Sequence, residues 1–177
     1  MMLLFLKNAL FTLVVPGTVG VIIPYRIGLR RMSAGPPWGF RHDVALFLLA
    51  VGAAIYFRCV WDFARTGRGT PAPIDAPKVL VVRGLYQYVR NPIYLGVLLI
   101  VLGWTVYFAS FRVLVYGIFL ALGFHLFVIL VEEPSLRRRF GESYERYCRA
   151  VRRWVPGPRY AALPGVRNSD GGHSWDR

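Results

Sequence analysis

The chain has 177 residues, 55% of them hydrophobic, and a formal net charge of +13. Four long apolar runs leave little sequence for a separate soluble core, so it reads as one polytopic, all-α membrane domain over residues 1–156. In a soluble protein that charge would invite a nucleic-acid partner, but here the basic residues fall between and after the apolar runs, which points to anionic lipid headgroups and no nucleic acid.

The expected spans are Leu3 to Pro24, Val44 to Phe63, Ile93 to Ala109 and Val113 to Glu132. Each is near the ~20 residues a helix needs to cross roughly 30 Å of hydrocarbon, the third being the shortest. The first run continues past Pro16-Gly17 without a convincing cleavage site, so it is read as a helix kinked at Pro16 rather than a secretory signal. Four crossings gather the amino terminus, the loop from Ala64 to Asn91 and the tail after Glu133 on one face, with 16 of the 22 Lys and Arg. That face is expected to be cytoplasmic. Cys59 and Cys148 lie on different elements, so neither a disulfide framework nor a metal site is expected.

Between the second and third spans, Thr66 to Pro77 holds three prolines and two glycines and cannot be helical. Lys78-Val79-Leu80-Val81-Val82 suits an extended segment, and Gly84 marks a tight turn. At Asn91-Pro92 the third helix has its start signal: Asn offers a capping oxygen, and Pro fits the first helical position. Tyr94, Leu95 and Gly96 then occupy a first turn whose free N–H groups favour an anionic group.

The fourth span ends on Glu132-Glu133, and Pro134 is expected to interrupt it. An amphipathic piece follows with Phe140, Tyr144, Tyr147 and Val151 on its apolar face and the pairs Glu142/Arg146 and Glu145/Arg149 opposite, the pattern of an interfacial helix lying on the membrane. From Gly157 to the end the sequence lacks an apolar period and reads as disordered.

Two carboxylates at the end of a membrane helix are costly to desolvate and oppose the helix dipole, so a cation should compensate them. Arg137 or Arg138 could do so; so could a cationic cofactor such as S-adenosylmethionine, with its sulfonium and ammonium. His125, seven residues before Glu132, projects from nearly the same side, where it either lines a cavity or is a neutral ring bonded to a neighbouring helix. Tyr86, Tyr88, Tyr94, Trp61 and Trp154 are also compatible with an aromatic belt, and Arg90 with a lipid phosphate or with solvent.

Taken in order, Gly84-Leu85-Tyr86, Arg90-Asn91-Pro92-Ile93-Tyr94-Leu95-Gly96, Glu132-Glu133, Phe140-Gly141-Glu142-Ser143-Tyr144-Glu145-Arg146-Tyr147 and Trp154-Val155-Pro156 resemble the isoprenylcysteine carboxyl methyltransferases and their phospholipid N-methyltransferase relatives. The resemblance covers about Thr66 to Pro156. It implies S-adenosylmethionine held by Lys78, Val79, Leu80 and Val81 through backbone, with Tyr86, Asn91, Pro92, Ile93, Tyr94 and Gly96 at the helix start and Glu132 and Glu133 at its cationic end. It also implies a lipophilic acceptor, an isoprenoid, a phospholipid or similar, entering from the bilayer; the basic bias puts the site on the cytoplasmic face, and 20 Arg to 2 Lys suggests a bacterial inner membrane. No metal is expected. Asn91 stands where the family has His, which keeps a capping side chain but removes a titratable group, and Val128 stands where eukaryotic relatives carry a substrate-addressing Arg, which weakens the case for a prenylcysteine acceptor. His125 is the candidate for orienting or deprotonating the acceptor and Arg90 for addressing its headgroup. Two rival readings are a nicotinamide-dependent membrane reductase of related topology, clamping a phosphate with Arg137, Arg138 and Arg139, and a non-catalytic membrane adaptor.

Overall fold

A computed structural model describes residues 16–30, 38–66, 80 and 82–160. All regular structure among them is helical. A π-turn at Thr18–Ile22 leads into α1 (Ile23–Leu29); α2 is Phe40–Thr66; a 3-10 turn covers Gly84–Gln87; α3 is Pro92–Phe108 and α4 is Phe111–Phe127. A second π-turn, Val128–Glu132, joins α4 to α5 (Glu133–Phe140), and α6 is Glu142–Ala150.

Among the described residues, two stretches are long and apolar enough to cross a membrane, Phe40–Asp62 and Phe111–Phe140. The apolar α3 is 17 residues long, roughly 25 Å at the helical rise, and the described part of the first apolar run covers Thr18–Leu29. The expected beginning of that run, including the approach to a kink at Pro16, lies outside the described residues. Its helix continues beyond Pro24, where the sequence suggested an end.

Nor does Pro134 interrupt the fourth helix, and one device explains both departures. Proline has no N–H, and its ring collides with the carbonyl four residues back in a regular helix. Here each π-turn ends two residues before a proline: Ile23 N–H bonds to Thr18 O ahead of Pro24, and Glu133 N–H bonds to Val128 O ahead of Pro134. The wider turn accommodates the ring and the helix runs on.

Helices α2 and α3 cross at their glycines. A Cβ built on Gly96 would lie 2.9 Å from Gly52 O, so the backbones meet directly there, and one on Gly103 would lie 2.8 Å from Leu49 Cγ, so the α3 backbone is packed against that side chain. The two pairings run in opposite directions along the chain, making α2 and α3 antiparallel. A tight turn with Ala109 in the left-handed region (φ 45°) reverses the chain again into α4. The end of α2, the start of α3 and the end of α4 therefore share one end of the bundle.

At the other end sits an aromatic cluster of the kind found at membrane–water boundaries. Tyr25 packs on Trp104 (centroids 5.3 Å), Trp104 on Tyr107 (5.8 Å), Tyr107 on His42 (5.3 Å) and His42 on Trp38 (4.9 Å). Between the ends, Leu114, Ile118, Leu122, Leu126 and Leu130 form an unbroken exposed row at four-residue spacing. Such a stripe is unfavourable in water and suits hydrocarbon.

The apolar face of α6 does not lie on a membrane surface as its pattern suggested. Tyr144, Tyr147 and Val151 are buried against Leu80, Val82, Leu136 and Phe140 of the same chain. The tail begins ordered too: Gly157 N–H donates to Tyr88 O (2.9 Å) and Tyr160 stacks edge-on against Tyr147. Residues 161–177 lie outside the described part.

Candidate functional site

The site is assembled where the segment before α3, the end of α4 and the segment after α6 converge. Gly84 opens the 3-10 turn with φ +57°, a conformation that favours glycine, and a Cβ there would run into the Asp62 carboxylate at the end of α2. This turn buries Tyr86, whose ring packs with Cys59 and with Ile93. Pro92 is the first residue of α3, as the sequence indicated.

Asn91 precedes it, but its side chain makes no capping bond. Instead Nδ2 donates to Arg153 O at 3.2 Å. That bond belongs to a series through which α6 and the segment after it strap the pre-α3 segment down. Tyr147 OH donates to Tyr86 O (2.6 Å), Arg90 N–H to Arg152 O (2.9 Å), and Arg159 to the Gln87 side chain. Asn91 is thus a clamp between segments rather than a local cap.

The adjacent carboxylates have different surroundings. Glu133 is 3% exposed and gathers three guanidiniums: Arg153 through a fork at 2.6 and 3.1 Å, Arg90 at 3.3 Å and Arg137 at 3.9 Å. A buried carboxylate is tolerated only when so compensated. Its partners come from the pre-α3 segment, α5 and the strap, so Glu133 is the knot that ties the three together, and no ligand cation is needed to balance it. Arg90 also donates to Cys148 Sγ (2.7 Å), so the geometry commits its guanidinium inside the protein and not to a headgroup. Arg137 donates to Glu145 as well (2.8 Å), a pairing across the α5–α6 corner rather than along one helix.

Glu132 accepts a hydrogen bond from Tyr94 OH (2.8 Å). This pair spans from the first turn of α3 to the end of the π-turn that follows α4 and leaves carboxylate acceptor capacity open. Tyr94 packs on Phe124 (4.8 Å) and lies 6.4 Å from Trp154, whose indole is in turn 6.1 Å from His125. Trp154 Nε1 donates to His125 Nδ1 at 3.0 Å. His125 and Glu132, placed on one side of the helix by sequence, are thus brought around the same aromatic group.

Of the other residues expected to hold a cofactor, Leu80 packs against the α6 cluster, while Lys78, Val79 and Val81 lie outside the described residues. Gly96 is buried at the α2–α3 crossing, where its missing side chain serves helix packing rather than a ligand. Trp154, Arg153 and Cys148 belong to the site, and sequence reasoning gave them no role in it. Trp154 was visible as a candidate belt aromatic and as the close of a motif; nothing local signals that it reaches back to His125.

Burial sets the protonation of the tyrosines around the strap. Loss of solvent pushes the hydroxyls of Tyr86, Tyr144 and Tyr147 above the ordinary phenol range, helped respectively by the nearby Cys59, Cys148 and Tyr144. They remain neutral donors.

No solved structure matches the chain. It is 39% identical over 62 residues to an uncharacterised protein from Haemophilus influenzae, a match that takes in 35% of this chain and 98% of that protein. The family model described as phospholipid methyltransferase matches residues 40–143, from the start of α2 into α6, and so holds the Gly52–Gly96 crossing, the Tyr94–Glu132 pair and Glu133. The chain belongs to the phospholipid methyltransferase family, a family of membrane methyltransferases.

Proposed function

We propose that this protein transfers a methyl group from S-adenosylmethionine to a lipophilic acceptor at the cytoplasmic face of a bacterial inner membrane. The observation that carries the reading is the contrast between the two carboxylates. Glu133 is balanced by three arginines, while Glu132 has a tyrosine hydroxyl and lone pairs to spare at the junction of α3 and α4. A zwitterionic cofactor with an added sulfonium suits that junction. Its ammonium would meet Glu132, and its carboxylate would meet the N–H groups of Ile93 and Tyr94 in the first turn of α3.

When bound, S-adenosylmethionine supplies an electrophilic methyl whose in-line displacement leaves a neutral thioether. Since positive charge leaves the reacting centre, the chain need only align the partners and keep the site dry. Tyr94 holds the Glu132 carboxylate in one orientation, and the rings of Phe124 and Trp154 beside it exclude water. A carboxylate acceptor can attack as it stands; an ammonium acceptor must first lose a proton. The exposed apolar row on α4 supports entry of the acceptor from the bilayer, because lipid chains can approach the site along it. A reductase reading is less well supported, since Arg137, one of the three arginines it would use, is held by Glu133 and Glu145.

The test is calorimetric titration of S-adenosylhomocysteine into detergent-purified protein, with Glu132→Gln and Tyr94→Ala alongside. Saturable binding that weakens in both variants is expected. Well-folded protein that binds no S-adenosylhomocysteine would overturn the proposal.

A further inference from the structure

We propose that Trp154 is a positioning residue that fixes His125 as a hydrogen-bond donor through Nε2. The role this gives His125 toward the acceptor rests on the methyltransferase reading; the tautomer itself does not. An indole N–H can only donate, so the 3.0 Å bond from Trp154 Nε1 requires a lone pair on His125 Nδ1. The neutral ring then carries its proton on Nε2. Removal of a proton from an acceptor by Nδ1 would need this bond to break first, which takes His125 out of the general-base role and leaves it to donate to an acceptor oxygen.

The strap gives the indole the means to impose this. On one side of Trp154, Arg153 is forked onto Glu133 and its carbonyl is held by Asn91, while Arg152 O takes the Arg90 N–H. On the other side, Gly157 N–H is bonded to Tyr88 O. Anchored at both flanks, Trp154 presents its N–H to His125 while its ring lies 6.4 Å from Tyr94, the residue that orients Glu132. One side chain therefore sets both the proton position on His125 and the aromatic surroundings of the carboxylate.

The test uses the full chain labelled with 15N-histidine and 15N-tryptophan in detergent micelles. Among the three histidines the His125 signals are those lost in His125→Gln. In the wild type, Nδ1 is expected to resonate as an unprotonated nitrogen and Nε2 as a protonated one. Trp154→Phe keeps an aromatic ring but removes the donor, so His125 should become a mixture of tautomers. If Trp154→Phe does not fold, the Trp154 indole 15N–1H signal decides: it should move upfield in His125→Ala and stay near its wild-type position in His125→Gln, where an amide oxygen can accept. A proton on Nδ1 in the wild type, an unchanged tautomer in Trp154→Phe, or an indole signal indifferent to His125→Ala would each overturn the proposal. A correct tautomer in protein that binds no S-adenosylhomocysteine would count against the proposed function alone.

Discussion

Replacing Gly96 by Ala tests whether α2 and α3 cross where the glycines place them. The added Cβ would stand 2.9 Å from Gly52 O, 3.1 Å from Tyr56 N and 3.2 Å from Ile55 Cγ2. All three are backbone or branched-side-chain atoms, and ordinary contact begins near 3.4 Å, so relief requires the helices to part by about half an ångström. A gap of that order forfeits roughly a quarter of the dispersion energy of neighbouring contacts, and overpacking of this kind costs about 1–3 kcal/mol. Alanine also raises helix propensity by about 0.8–1.0 kcal/mol, an offset that Gly123→Ala isolates, because a Cβ on Gly123 meets nothing within 4 Å. In the difference between the two variants propensity cancels and only the crossing remains. For a chain of this length it corresponds to a melting temperature lower by roughly 2–12 °C for Gly96→Ala than for Gly123→Ala. Thermal unfolding in detergent, followed by circular dichroism, measures it. Equal melting temperatures would refute the close crossing and reopen a ligand role for Gly96.

Glu133→Gln should cost about 3–5 kcal/mol by leaving the three guanidiniums without their shared carboxylate, whereas Glu132→Gln should leave the melting temperature nearly unchanged and weaken S-adenosylhomocysteine about tenfold to a hundredfold. Thermal unfolding and calorimetry on the same samples would separate the two; equal effects of both variants on both readouts would contradict the division of roles. Alkaline pH gives an independent check on the strap. Burial raises the Tyr86, Tyr144 and Tyr147 hydroxyls, so their stabilising contribution is complete below pH 10, where unfolded tyrosines begin to ionise, and is lost as pH rises above it. Denaturation midpoints measured across that range should fall, and Tyr147→Phe, which removes the bond to Tyr86 O, should flatten the fall.

Periodicity and hydropathy made the helices legible, because a lipid-facing helix is written in the sequence as length and apolarity alone. Pro92 was legible for a local reason, its fit to a first helical position. Asn91 was read by the same local logic and went elsewhere: the Arg153 carbonyl, 62 residues away, takes its amide, and a capping bond cannot compete with a strap held by several others. Pro134 shows the opposite limit. Its local rule is sound, but a π-turn ending two residues earlier, at Glu132, satisfies it without ending the helix. The face of α6 was identified correctly as apolar, yet Tyr144 and Tyr147 would serve a membrane surface and a protein interior equally well. Amphipathic pattern tells which side is covered and not by what.

The two carboxylates can be given separate work because they are neighbours in a helix. Consecutive side chains leave a regular helix about 100° apart, so Glu132 and Glu133 cannot serve one partner together. One turns to the strap and its arginines, the other to Tyr94 on α3. The π-turn that ends at this point changes the angular step over the residues leading to Glu132, and Pro134 fixes where that turn must lie. A proline that looked like the end of a helix sets the rotation of the site: in Pro134→Ala a regular α-helix becomes allowed, and Glu132 would swing away from Tyr94 while the apolar pattern of the span stayed the same.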